Sequence, residues 1–190
     1  MKNCISALST LSLILICVVF LNSCGALMSL VFGNMKTDDE VAQEKLGEVL
    51  GAIEKQDKDS LKALFAKKTQ NMGATLDSQI EQLFEYYQGN FSAYSDITGP
   101  MVGRGHDYND EYKYYEFSCD IETTIKTYRI AMKFYTEDTA TPDNIGIHSL
   151  YIINDEEEKN ECFSHSYWGD GAFEEGIHLG VLSSWCKEHN

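Results

Sequence analysis

The stretch "YKYYEFSCDIETTIKTYRIAMKFYTE", residues 112–137, decides the fold. In its first half Tyr115, Phe117, Cys119 and Ile121 fall on alternate positions. In its second half Tyr128, Ile130, Met132 and Phe134 do the same, in a register that starts at Lys126. Thr127, Arg129 and Lys133 take places between them, as Asp120 does in the first half. A period of two marks a strand with one buried side. Two such runs in succession predict an antiparallel hairpin turning near Glu122–Thr124, with Asp120 pointing to solvent.

The flanking segments extend the sheet. "IGIHSLYII", 145–153, is apolar on both faces and predicts an inner strand. "FSAYSDITGPMVGRGHD", 91–107, is strand-like but broken at Gly99-Pro100. Its "GRGH", 103–106, has two glycines but neither a phosphate-loop lysine nor a following helix, and reads as a turn. In the tail, "GIHLGVL", 176–182, suits a further strand or an extended edge.

Before residue 91 the period is helical. Thr37 and Glu40 have capping-box spacing, and Asp38, Asp39 and Glu40 suit the positive end of a helix dipole. Ala42, Leu46, Val49, Leu50 and Ile53 then repeat on one helical face. Asp57 or Asp59 can cap a short second helix carrying Leu61, Leu64 and Phe65, with Lys67 and Lys68 in its last turn. "NMG" breaks it. A third helix starts at Thr75, aligns Leu76, Ile80, Leu83, Phe84 and Tyr87, and has Gly89 past its end as a left-handed cap. Helices first and an antiparallel sheet after them predict an α+β fold, with three N-terminal helices packed on one face of a curved sheet.

Four runs, "AIEKQDKDSLKALFAKK", "LDSQIEQLFEYYQGNFSAY", "TYRIAMKFYTED" and "NIGIHSLYII", resemble an uncharacterised family of bacterial lipoproteins, domain of unknown function 5104. That family is similar to the nuclear transport factor 2-like superfamily, a cone of helices wrapped by a bent sheet. The likeness spans roughly residues 38–153. It implies a cone-shaped cavity between sheet and helices, which some superfamily members use for isomerase, cyclase or hydrolase chemistry and others for binding alone. The matching residues are core and turn positions, so no functional residue is carried across.

The N-terminus sets the compartment. One cation, Lys2, precedes "ISALSTLSLILICVVFL", residues 5–21, which has no charge. This is the build of an export signal. As a helix the run spans about 25 Å, short of the roughly 30 Å hydrocarbon layer. Leu21, Asn22, Ser23 and Cys24 then resemble a bacterial lipobox, in which the cysteine sulfur receives a diacylglyceryl group and the leader, 1–23, is removed. Two acyl chains on one residue give the stable anchoring that a single chain does not. The competing readings are an uncleaved anchor extended by "ALMSLVF", 26–32, and simple secretion. On the lipoprotein reading residues 24–37 are a lipidated tether and 38–190 a single domain.

Without the leader, 167 residues remain, with 14 cations against 30 carboxylates, a net charge of −16. That charge argues against nucleic acid or anionic lipid as an electrostatic partner. The 9 Phe, 2 Trp and 11 Tyr with only 2 Pro describe a folding, not a disordered, composition. The acidic run "NDEEEKNE", 154–161, reads as a solvated loop. Cys119 sits in a strand and reads as a buried free thiol. Cys162 and Cys186 can pair in an exported compartment, a closure contributing roughly 3–4 kcal/mol; two free thiols are the competing state.

Catalytic and metal signatures are missing from the sequence. It has no His-Glu-x-x-His, no Cys-x-x-Cys and no Gly-x-Ser-x-Gly. Cys162 and His165 are spaced as half a metal site only, and His165 reads as a surface residue. Asp107, Asn109 and Glu111 begin like a calcium loop, but Tyr112 replaces its glycine and Ser118 its closing glutamate. No cofactor or metal is expected. Alternation puts His148 with Leu150 and Ile152, which makes it the first candidate for acid–base work, against the plainer reading of a hydrogen-bonded core histidine. Tyr115 and Tyr128 suit either pocket lining or packing. The expectation is a membrane-anchored, extracytoplasmic, non-enzymatic module for a small apolar ligand or an envelope protein. An enzyme of the cone type and a purely structural interaction module are its rivals.

Overall fold

The hairpin forms in the register that the alternation dictates. Strands β3 (Asp110–Thr123) and β4 (Thr127–Asp138) pair Ile121 with Tyr128, Cys119 with Ile130, Phe117 with Met132 and Tyr115 with Phe134. All eight side chains are buried. The intervening positions pair Asp120 with Arg129 and Glu116 with Lys133 across the opposite face. Asp120 binds Arg129 through both oxygens, at 2.8 and 3.2 Å, at a partly exposed site. The turn falls slightly later than predicted, because Thr123 completes the strand and its hydroxyl accepts the Lys126 N–H at 3.0 Å.

This computed structural model describes residues 36–107, 110–155 and 174–180. Around the hairpin lie β1 (Phe91–Tyr94), β2 (Thr98–Asp107), β5 (Gly146–Asn154) and β6 (Gly176–Leu179). The strand order is β1-β3-β4-β5-β6, and β2 pairs with β3 further along the edge that β1 occupies. "IGIHSLYII" is the inner strand expected, between β4 and β6. The sheet is mixed and open, not wholly antiparallel as predicted: β6 runs parallel to β5. A hairpin joins only antiparallel strands, and the connection from Asp155 to Glu175 has the dozen or more residues that a parallel crossover requires.

Four α-helices, not three, are described: α1 (Asp38–Glu54), α2 (Lys58–Leu64), α3 (Lys67–Gln70) and α4 (Ala74–Tyr86). α1 starts with its three acids and buries Ala42, Leu46, Val49, Leu50 and Ile53 as its pattern requires. Asp57 caps α2, accepting the Ser60 N–H at 3.0 Å. The extra turn, α3, arises because the chain leaves the helix at Phe65. There Phe65 pairs with Ile147 of β5, and Ala66 N–H donates to the Ile147 carbonyl at 2.8 Å. Lys67 and Lys68 therefore belong to a new turn rather than to the end of α2.

Two glycine readings change. Gly89 is not the cap of α4, whose C-cap is the extended Tyr87. It has φ +88°, and a β-carbon there would lie 2.7 Å from Thr123 Oγ1, so it lets the chain cross tightly beside the β3–β4 turn. The "GRGH" stretch is strand, not turn. Gly103 and Gly105 stand opposite Tyr114 and Tyr112 on β3. A β-carbon on either would lie 2.0 Å from the facing tyrosine ring. The rings occupy the space that side chains would fill, which compensates an edge strand for its glycines.

Candidate functional site

Of the residues singled out in the sequence, Tyr115, Tyr128 and His148 are described, and the structure does not bring them together. Tyr115 is buried, stacked on Phe134 with ring centres 5.0 Å apart, and donates its hydroxyl to Asp38 Oδ1 at 2.9 Å. Tyr128 is buried toward the other end of the hairpin. Its hydroxyl donates to the Tyr86 carbonyl at 3.0 Å and accepts the Gln88 N–H at 2.8 Å, so it closes the C-terminal end of α4. Both phenols are satisfied by the protein itself, as buried tyrosines are.

His148 leaves the face of Leu150 and Ile152. A register shift after Lys133 places Ile147 opposite Phe134 and Ser149 opposite Lys133, so Ile147, Leu150 and Ile152 fill the core instead. His148 is half-buried, edge-on to Tyr135 at 6.4 Å. Its Nδ1 lies 4.0 Å from Glu175 Oε1, a carboxylate also bound by Lys68 Nζ at 2.6 Å. Cys119 is free and buried, and burial pushes its thiol up to about 12. Such a thiol is inert. Cys24, Cys162, His165 and Cys186 lie outside the described residues.

Among the described residues, the helix-facing side of the sheet is packed by its own side chains. Phe117, Met132, Phe134, Ile147 and Leu150 are fully buried beneath Leu46, Leu61, Leu76, Ile80 and Leu83 of the helices. A recess is found elsewhere, at the end of the β3–β4 hairpin away from its turn, where β2 and β3 are joined. Here Arg104, Gly105, Glu111, Tyr112, Lys113 and Glu137 line a surface cleft of about 460 Å³. That size falls within the range of small-molecule sites.

Local sequence and strand register build this cleft. Arg104 is opposite Lys113 and Gly105 opposite Tyr112 in the β2–β3 ladder. Strict alternation on β4 would set Glu137 on the face of Tyr135. The irregularity between Lys113 and Tyr114 moves it opposite Lys113 instead, the re-aiming that a β-bulge performs. Behind the cleft, the first residue of α1 ties the cations down: Asp38 Oδ1 is 3.2 Å from Lys113 Nζ and 3.7 Å from Arg104 Nη2. The Tyr115 hydroxyl and then Lys113 hold the Asp38 carboxyl below its ordinary 3.8. Burial acts against the charge on Lys113, but Tyr115 and Asp38 outweigh it and raise its pKa.

None of these lining residues was marked as functional by the sequence. The available signal was the pairing of two glycines with two tyrosines at the same spacing, legible only once β2 and β3 are known to be partners. No group of three or more metal-binding side chains is present among the described residues. None of their helices is long and apolar enough to cross a membrane.

The fold is thus α+β, with a helix–sheet core that the described residues pack with their own side chains and a charged cleft at one end of the sheet. The family model for "Domain of unknown function (DUF5104)" matches residues 48–155, over half of the chain, and the protein belongs to that family. The match runs from within α1 to the end of β5 and includes every residue lining the cleft. No curated protein matches the sequence.

Proposed function

We propose that this protein is a binding module without chemistry of its own, held on the extracytoplasmic side of the cell membrane by a diacylglyceryl group on Cys24, which recognises an envelope component at its surface. The observation that carries the surface reading is the close packing of the described core. Tyr115 and Tyr128, the residues best suited to line a cavity, are buried and have their hydroxyls bonded within the protein. Tyrosines packed and bonded in this way support recognition at the surface.

The fold is read as a nuclear transport factor 2-like cone whose interior is closed. Helices packed on one face, and a register shift in each of the four antiparallel pairings, support this reading. Bulges of this kind bend a sheet. The lipobox and the uncharged leader support the anchor. Two measurements test the proposal. Cys24→Ala is expected to abolish acyl labelling, leave an unprocessed precursor and release the protein from the membrane fraction. Native mass spectrometry of the wild type is expected to show no retained apolar ligand. An unchanged mass and membrane fraction for Cys24→Ala overturns the anchor, and a co-purifying apolar small molecule overturns the closed interior.

A further inference from the structure

We infer that the free edge of β2 is a docking site that takes an extended cationic segment of another protein as an added antiparallel strand. The inference rests on the reading that recognition takes place at the surface. Three observations lead to it.

The first is the edge itself. Among the described residues β2 pairs with β3 alone. It does so as a ten-residue strand, whereas the edge strands β1 and β6 have four residues each. The N–H and C=O groups on its far side have no described strand beside them, and such a row is a template for a further strand. The devices that blunt an edge are confined to its start, where Pro100 and the register shift lie between Thr98 and Met101. From Met101 onward the pairing with β3 is regular. Met101 is 50% exposed and the Arg104 side chain 64%.

The second is the difference between the two faces of that edge. On the face away from the helices β2 has glycine at 103 and 105, and the rings of Tyr114 and Tyr112 fill the space above them. The two rings are aligned within 9°. An added strand lays its side chains on this face beside the rings, which suits apolar residues. The helix-side face carries Val102 and Arg104, opposite Tyr115 and Lys113.

The third is charge. On the helix side Asp38 already holds Lys113 at 3.2 Å and Arg104 at 3.7 Å. Glu111 and Glu137 line the cleft beside them, and Asp39 and Glu40 follow Asp38 in the first turn of α1. With both cations engaged, carboxylates are in excess at this end, and the whole chain carries −15. Complementarity asks for lysine or arginine on the facing side of the partner. The segment that fits therefore alternates apolar and cationic residues, one kind for each face. A second copy of this acidic chain would bring like charges together.

The test uses the full-length protein in a neutral detergent and three acetylated, amidated heptapeptides, KVKVKVK, KLKLKLK and KFKFKFK. Binding is read by fluorescence anisotropy and its place by amide hydrogen exchange. At least one peptide is expected to bind with a Kd below about 1 mM, with added protection in β2. Two N-methylated forms of that peptide separate strand addition from plain charge attraction, because an added strand bonds through one edge only. Methylation of one alternate set of amides is expected to weaken binding at least about tenfold, and methylation of the other set to leave it unchanged. The acidic counterpart EVEVEVE is expected not to bind, and Glu111→Gln with Glu137→Gln to weaken the cationic peptide. Failure of all three peptides, loss from both methylated forms or from neither, equally tight binding of EVEVEVE, or protection that leaves β2 unchanged overturns the assignment. So does a dimer in sedimentation with β2 amides protected before peptide is added, which gives the edge to a second copy. Cys24→Ala, if it yields folded protein, binds the peptide as the wild type does, so failure of the anchor and failure of the edge are separate results.

Discussion

The two ends of the β3–β4 hairpin are built from the same kinds of residue and behave in opposite ways. At the turn end Tyr128 is buried, stacked on Tyr87 at 5.2 Å and tilted against Tyr86 at 5.8 Å, with its hydroxyl consumed by the end of α4. At the open end Tyr112 lies over Gly105 with its ring partly in solvent, on the face opposite to Lys113 and Tyr115. The helices make the difference. Among the described residues, α4 ends against the turn end, and the first turn of α1 reaches the open end through Asp38. Aromatic content alone therefore does not mark a pocket; what matters is whether a helix covers it.

The strongest disruption of this contrast is expected between the two ends. Phe134 stacks on Tyr115 and packs edge-on against Phe117 at 6.3 Å, fully buried. Phe134→Ala should cost about 3–5 kcal/mol, read as a lowered urea midpoint with the slope retained. At the turn end, Gly89→Ala puts a β-carbon against Thr123 Oγ1 at a positive φ. A loss of about 1–3 kcal/mol is expected, and a neutral result would show that the crossing can shift. Tyr128→Phe keeps the stacking and removes only the hydroxyl, for about 1–1.5 kcal/mol. If it proves neutral in thermal melts, water replaces the bridge and the turn end is less sealed than its packing indicates.

The open end should respond to pH more than to packing. The folded pKa of Asp38 lies below 3.8, chiefly through the Tyr115 hydroxyl and then Lys113. Its stabilisation is therefore complete above that value and is lost as pH falls from 3.8 through the folded pKa. Asp38→Asn should flatten the acid limb of a stability–pH curve below about 4 and leave the curve near neutrality with the same shape. The smallest effect belongs to Tyr112→Ala, whose ring is exposed: a change within about 0.5 kcal/mol, checked by the same melts. A large destabilisation there would make the ring a structural cover for Gly105.

Much of the sheet was legible because alternation is a local property. Tyr115, Phe117, Cys119 and Ile121 face inward by spacing alone, and so do their partners on β4. The expectations that changed all involve a second segment. Gly89 is explained by Thr123, and α3 by the bond between Ala66 and Ile147. The displacement of His148 and the position of Glu137 each follow from a register shift that no periodicity contains. The cleft was not legible for the same reason. Its residues come from three strands.

By itself the sequence determined that helices precede a sheet, which face of the central hairpin is buried, and where the first helix begins, because periodicity and capping act between near neighbours in the chain. Only the tertiary structure decided that the last described strand runs parallel, that tyrosines and phenylalanines pack the described core, and that the charged recess lies at the end of the central hairpin away from its turn. Those outcomes depend on contacts between residues far apart in sequence, where packing and register override the local pattern.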